Sequence, residues 1–161
     1  MLGGFECGIV PMRQADDGTL FVGGTNRGWA SRGTKNFSLE RVSWTGVTPF
    51  EMLKMEAEAD GFTLRFTEAL DLELAANPEN YKMQAWTYIY QKSYGSPEVD
   101  NVTPVVTAVE VAADGMSVKI KLDGMTKGHV HHLDCSGLRS KGGSPLWHPN
   151  SYYTLNQIPK L

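Results

Sequence analysis

The strongest constraint in this sequence is an alternation of apolar and polar residues between Asp100 and Leu138. Two segments place apolar side chains at every second position, and the tight turn Asp114-Gly115 separates them: Val105, Thr107, Val109 and Val111 come before it, and Met116, Val118, Ile120 and Leu122 after it. A period of two is typical of half-buried β-strands. The pattern resumes from His129 to Cys135, so we predict a meander of three antiparallel strands. Its apolar face needs a second sheet to cover it, which favours an all-β sandwich.

The overall composition excludes several classes of protein. A length of 161 residues fits one domain, or one domain with part of another, and 17 glycines suit a turn-rich β-protein. The net charge of −3 with scattered lysines and arginines gives no reason to expect a nucleic-acid partner. No apolar run is long enough to span a bilayer. The first residues lack the basic and apolar regions of a secretion signal, so we expect a cytoplasmic protein or a chain that begins inside a longer one.

The first 46 residues differ from the rest in their pattern of predicted strands and loops. Three short predicted strands surround a glycine-rich loop at 23–33. Such a sheet is too small to bury a core alone, so we expect it to pack on the sandwich or on a partner. Arg27 and Trp29 in this loop are candidate ligand-binding residues, because glycines let a ligand approach the backbone and arginine offers a bidentate fork. The alternative is that both side chains lock the loop in place.

An aromatic stripe is the second candidate binding site. Trp86, Tyr88 and Tyr90 recur at every second position of a predicted strand from Tyr81 to Gln91, opposite smaller side chains. An exposed stripe of this kind forms a flat platform for sugar rings or for a protein interface. The alternative, favoured by the need of the N-terminal sheet for an apolar support, is that the stripe packs beneath that sheet or the C-terminal tail.

Three histidines and two cysteines are the remaining residues that could bind a metal or react. His129 and His131 share a strand face and could chelate a metal together, whereas His132 points away. No third ligand follows from the spacing, so we commit to no metal site and expect His131 to be a hydrogen-bonded core residue. Cys7 and Cys135 fit no metal or haem motif and are read as two buried thiols, with a long-range disulfide left open. Motifs of nucleophilic or zinc-dependent hydrolysis are missing from the sequence, and we predict no catalytic residue.

Two parts of the sequence resemble known families. The stretches DDGTLFVGGTNRGW (16–29) and LERVSWTG (39–46) resemble the last blade of a β-propeller of the glucose/sorbosone dehydrogenase-like type. Residues 47–158 are similar to bacterial immunoglobulin-like (fibronectin III-like) sandwich domains, on the basis of NPENY at 77–81 and ADGMSV at 113–118. His131 departs from that pattern, which often has an aromatic residue there. The resemblance divides the chain into a propeller-blade-like β element at 1–46 and an immunoglobulin-like β-sandwich at 47–161.

These resemblances imply a function and a setting. They imply the C-terminal part of a secreted bacterial protein in the periplasm or outside the cell. The implied partners are the preceding propeller domain and a polysaccharide, with no nucleic acid or membrane. A propeller needs typically 4–8 blades, so this chain would hold no cofactor, although pyrroloquinoline quinone (PQQ) belongs to the parent family. We therefore predict a non-catalytic accessory domain that docks to another domain or binds carbohydrate. The alternatives are part of a PQQ-type sugar dehydrogenase, or metal binding through His129 and His131.

Overall fold

The structure is a computed structural model that describes residues 4–26 and 33–160. The described residues are mainly β-strand and form three antiparallel sheets, which confirms the predicted all-β, sandwich-like fold. The chain divides into two compact units, one ending at Val47 and the other beginning at Thr48. None of the described helices is long and apolar enough to cross a membrane.

The first unit is a three-stranded antiparallel sheet. Its strands are β1 (Ile9–Gln14), β2 (Leu20–Thr25) and β3 (Phe37–Val42), with β2 in the centre. The turn between β1 and β2 follows from Asp17, whose carboxylate accepts a hydrogen bond from the Thr19 amide at 2.9 Å. Cys7 is buried against this sheet and its thiol lies 3.1 Å from the Ser38 hydroxyl.

One face of this small sheet is apolar and exposed. The register pairs Leu39 with Gly23 and Phe37 with Thr25, so the two large side chains lie on the same face as Phe21. All three are exposed, and Phe37 retains 79% of its accessible surface. The first unit therefore presents apolar surface, in line with the expectation that three strands cannot bury a core of their own.

The second unit is a β-sandwich. Its strands are β4 (Met52–Ala57), β5 (Gly61–Phe66), β6 (Lys82–Tyr88), β7 (Glu98–Val102), β8 (Val105–Val111), β9 (Ser117–Asp123), β10 (Val130–Asp134) and β11 (Asn150–Thr154). The front sheet has the order β4-β5-β9-β8, and the back sheet has the order β11-β10-β6-β7. A short helix α1 (Leu72–Ala76) and a 3₁₀ turn (Pro78–Asn80) connect β5 to β6.

The core lies between the front and back sheets. Phe62 and Ile120 of the front sheet belong to the same buried cluster as Met83 and Leu133 of the back sheet. The Phe62 ring centroid lies 5.3 Å from that of Tyr153, so side chains of the two sheets interdigitate. This packing removes the apolar faces of both sheets from water, which is the main driving force for a sandwich.

Side-chain caps define the connection between β5 and β6. Asp71 begins α1, and its carboxylate accepts hydrogen bonds from the Glu73 and Leu74 amides, each at 3.0 Å. Asn77 caps the following 3₁₀ turn, which has Pro78 at its first position. The helix α1 itself was not predicted, because five residues are too short to show a helical period.

Two predictions about the meander are wrong. A β-bulge between Val106 and Ala108 shifts the alternation in β8, so Val105 and Thr107 are exposed while Val106, Val109 and Val111 pack against the core. The third predicted strand belongs to a different sheet: β9 pairs with β8 and β5, whereas β10 pairs with β6 and β11. The connection between β9 and β10 carries the chain from the front sheet to the back sheet. Two glycines in this connection, Gly124 and Gly128, have positive φ angles of 91° and 82°.

Candidate functional site

The outer face of the back sheet carries a cluster of aromatic side chains. Successive residues of a strand point to opposite faces, so Trp86 and Tyr88 project outward while Met83 and Ala85 face the core. The register places His132 of β10 beside Tyr152 of β11. We call Trp86, His132 and Tyr152 the aromatic patch.

The rings of the aromatic patch are in contact with one another. The His132 and Tyr152 rings stack with centroids 4.7 Å apart and an interplanar angle of 15°. The Trp86 ring meets both of them edge-on, at 6.2 Å from His132 and 6.4 Å from Tyr152. Trp86 is only 8% exposed and Tyr152 is 63% exposed, so tryptophan forms the base and tyrosine the open surface. This is an aromatic platform held rigid by ring contacts.

Polar groups border the aromatic patch. The register places Gln84 beside His132 on the side opposite Tyr152, and Gln84 is exposed. The His132 Nε2–H donates a hydrogen bond to the Asn150 Oδ1 at 2.8 Å, because a carboxamide oxygen can only accept. This bond fixes the plane of the His132 ring. The described residues offer no acceptor to the Asn150 amide nitrogen, which is therefore available to a ligand.

Buried Trp86 has one unusual feature. Its Nε1–H is buried without a hydrogen-bond partner among the described residues. A buried indole N–H ordinarily finds an acceptor, and leaving a donor unsatisfied costs about 1–3 kcal/mol. Despite this cost, Trp86 is buried and its ring contacts both other rings of the aromatic patch, so its replacement would disturb the patch and is a poor test of ligand binding.

The structure divides the predicted aromatic stripe. Tyr88 is half exposed at the end of β6, on the same face of the strand as Trp86. Tyr90 lies beyond the end of β6 and is fully exposed, so the predicted strand to Gln91 is too long. Arg27 and Trp29 lie outside the described residues. The ligand-binding role assigned to Trp86, Tyr88, Tyr90, Arg27 and Trp29 stays a prediction.

Two residues that complete the platform, His132 and Tyr152, are not predicted from the sequence. The sequence marks His132 only as the residue that points away from the possible metal pair, and it gives Tyr152 no role. Burial alternates along both strands, between partly buried and buried residues in β10 and between exposed and partly buried residues in β11. The pairing of these strands is not encoded locally, and only the register between them brings the two rings together.

The two histidines considered for metal binding both have protein partners. The His131 ring is fully buried, with Nδ1 3.3 Å from the His129 carbonyl and Nε2 accepting from the Thr126 amide at 3.3 Å. His129 is buried as well, and its Nε2 lies 3.1 Å from the Asp100 carbonyl oxygen and 3.2 Å from its carboxylate. No group of three or more metal-ligating side chains occurs within residues 4–26 and 33–160.

The contacts of His131 define its tautomer. Nδ1 carries the proton and donates to the His129 carbonyl, since Nε2 accepts from the Thr126 amide. Burial lowers the pKa of His131, and the neighbouring His129 ring adds to this effect while the hydrogen bond to the His129 carbonyl opposes it. Protonation would also place an Nε2–H against the Thr126 N–H.

We expect this histidine to make the sandwich less stable in acid. Below about pH 6.5 the unfolded chain protonates His131 more readily than the folded chain does, so the free energy of unfolding falls as pH decreases. The variant His131→Gln keeps one donor and one acceptor but cannot titrate. Urea unfolding at about pH 7.5 and about pH 5 should show that wild type loses more stability on acidification than His131→Gln does. Parallel losses in the two proteins would contradict the assignment.

Comparison with known proteins identifies the fold. No family model and no curated protein matches the sequence. Solved structures of the bacterial S-layer protein SbsC do match. Its N-terminal part superposes with a TM-score of 0.51 at 18% identity, covering 68% of this chain and 24% of that one. SbsC domains 1–6 give 0.51 at 19% identity, covering 68% of this chain and 14% of that one.

These matches correct the predicted family. The matching folds are S-layer protein domains and not sugar dehydrogenase propellers, so the assignment to a glucose/sorbosone dehydrogenase-like protein is wrong. The quoted similarities included turns such as Asp17-Gly18 and Asp114-Gly115, which are common to β-hairpins of every family. The first unit also has three described strands, whereas a propeller blade has four. The propeller partner, and the PQQ cofactor of the parent family, rested on that assignment alone.

Proposed function

We propose that the chain is a non-catalytic β-sandwich module of a bacterial cell-surface or extracellular protein, attached to further domains of that protein. The support is its likeness in fold to domains of an S-layer protein, a class that lies at the cell surface. The chain spans 14% of the SbsC structure that contains domains 1–6, which favours a role as one unit among several.

We further propose that this module binds carbohydrate on the aromatic patch. The observation that carries the proposal is the exposed Tyr152 ring, held in place by stacking on His132. A flat tyrosine face suits the C–H face of a sugar ring, and it loses little side-chain entropy on binding because its orientation is already fixed. The carboxamides of Gln84 and Asn150 at the border supply donors and acceptors for sugar hydroxyls.

Removal of the tyrosine ring should weaken glycan binding. We expect Tyr152→Ala to weaken affinity for a bound oligosaccharide at least about tenfold, the loss of roughly 1.4 kcal/mol of stacking. Titration calorimetry against neutral glucans, chitin oligosaccharides and soluble cell-wall polysaccharide measures this. Tyr94→Ala is the matched control, because Tyr94 is fully exposed and makes no described ring contact.

Two outcomes would contradict carbohydrate binding at this site. One is a flat titration of wild type with every glycan of the panel. The other is a wild-type affinity that Tyr152→Ala leaves unchanged. Far-UV circular dichroism of the variant controls for folding, since an exposed tyrosine at the edge of the back sheet contributes little to the core.

Docking to a neighbouring domain is the second candidate function, and a separate observation favours it. The exposed apolar face of the first unit, formed by Phe21, Phe37 and Leu39, is the kind of surface that proteins cover by association. A wild-type chain that binds no glycan would leave docking through this face as the proposed role of the module.

A further inference from the structure

The edge strands of the sandwich differ in how they are protected. An edge strand exposes unpaired N–H and C=O groups, and proteins block such edges with bulges, prolines and charged side chains. Among the edge strands of the second unit, β4, β7 and β8 each have a bulge in their pairing with the neighbouring strand, and each carries charged residues. The fourth edge, β11, has neither.

The strand β11 is regular, neutral and open. Its sequence is Asn150-Ser151-Tyr152-Tyr153-Thr154, without charge or proline. It pairs residue for residue with β10 along its whole length, so no bulge twists it away. Asn150, Tyr152 and Thr154 are exposed. This strand therefore lacks the bulge, proline and charge that block other edges, and its open side can accept another strand.

The hydrogen bonds to β10 show which backbone groups face the open edge. The Leu155 amide donates to the His129 carbonyl at 2.9 Å, and the Cys135 amide donates to the Pro149 carbonyl at 2.9 Å. Bonding alternates along an antiparallel pair, so Ser151 and Tyr153 also bond to β10. The N–H and C=O groups of Asn150, Tyr152 and Thr154 then point away from β10. The Thr154 carbonyl accepts from the Asn156 amide at 3.0 Å and keeps a second lone pair.

We propose that β11 pairs antiparallel with β11 of a second copy of this chain, with Tyr152 on the two-fold axis. In this register Tyr152 faces its own counterpart and Asn150 faces Thr154 of the other copy. Each pair joins two residues whose backbone groups point outward, so each exchanges two hydrogen bonds. The two back sheets become one continuous sheet, and the aromatic patches of the two copies lie side by side.

A second copy fits this edge because the strand is complementary to itself. Antiparallel pairing about Tyr152 brings no like charges together, and it creates an aromatic cross-strand pair, which is stabilising. The contact is isologous, so it closes as a dimer and does not propagate. Backbone hydrogen bonds carry the pairing and the Tyr152 rings only add to it, so Thr154 variants test the dimer without removing the tyrosine that the carbohydrate proposal needs.

The test is the oligomeric state of the whole chain in solution. Sedimentation velocity over a range of concentrations should show a reversible dimer for wild type. Thr154→Pro removes one outward N–H and should weaken dimerisation at least about tenfold. Thr154→Ala keeps that N–H and should dimerise like wild type. Because proline can also disturb β11 itself, Thr154→Lys is the second variant, and it blocks the edge by charge without changing the backbone.

Cysteine cross-linking tests the register and the identity of the partner. In an antiparallel hydrogen-bonded pair the Cα atoms lie about 5.5 Å apart, within reach of a disulfide. Oxidised Tyr152→Cys should therefore form a covalent dimer. Thr154→Cys should not, since four residues of strand separate it from its counterpart by about 13 Å.

Three results would overturn the proposal. Wild type could be monomeric at every concentration up to the millimolar range, which would leave β11 unpaired or paired with a different protein. A dimer could survive both Thr154→Pro and Thr154→Lys, which would place the contact elsewhere. Equal cross-linking of Tyr152→Cys and Thr154→Cys would exclude the two-fold register.

Discussion

Replacement of Gly61 by alanine should destabilise the β-sandwich by about 3 kcal/mol. Gly61 is buried at the start of β5, where it pairs with Lys121 of β9. A Cβ atom at this position would collide with the main-chain carbonyl of Ile120. That carbonyl belongs to the middle of a central strand and cannot turn aside without breaking the ladder between β5 and β9. Urea unfolding followed by far-UV circular dichroism measures the loss.

Gly142→Ala is the control for the alanine side chain itself. The nearest atom to a Cβ there is the Ser140 hydroxyl at 3.6 Å, an ordinary contact distance. We expect the free energy of unfolding of the Gly142→Ala variant to stay within about 0.5 kcal/mol of wild type. Equal stabilities of the Gly61→Ala and Gly142→Ala variants would contradict the close approach of the Ile120 carbonyl to Gly61.

Truncation of Phe62 to alanine should cost about 3–5 kcal/mol. The side chain is fully buried between the two sheets, with its ring centroid 5.7 Å from that of His131 and 5.3 Å from that of Tyr153. Its removal leaves a cavity that both sheets border, and neither sheet can collapse into it freely. Such a loss is a large part of the 5–15 kcal/mol typical of a folded domain.

Phe37→Ala separates this packing effect from a general effect of losing phenylalanine. Phe37 is 79% exposed in the first unit, so we expect the free energy of unfolding of the Phe37→Ala protein to differ from wild type by about 0.5 kcal/mol or less. Thermal unfolding by calorimetry provides a second measurement for both variants. A Phe62→Ala protein less than about 1 kcal/mol below wild type would be incompatible with a core shared by the front and back sheets.

The fold could be predicted where the signal is local. Val118 and Ile120 are buried as their alternation indicates, because the side-chain period of a strand follows from its backbone geometry alone. The same rule fails in β8, where a bulge shifts the period after Val106. It is also silent about partners: the alternation around His131 indicates a strand, but nothing in it reveals that β10 belongs to the back sheet.

The candidate site shows the same limit. Trp86 and Tyr88 could be found as a stripe because they lie on one strand, although burial of Trp86 reverses its expected role from surface to base. The contact between His132 and Tyr152 joins residues from two strands whose pairing depends on the whole sandwich. Short motifs gave no guidance either, since hairpin turns recur in unrelated families.

The two cysteines give the chain a pair of natural reporters. Cys7 is shielded in the first unit and Cys135 in the second, and both are free. Burial raises the pKa of the Cys135 thiol, which suppresses the thiolate that alkylating reagents attack. Alkylation of this sulfur has to wait until its surroundings open. The rate of alkylation at each sulfur, measured by mass spectrometry, therefore reports local opening of the unit that contains it, without any engineered probe.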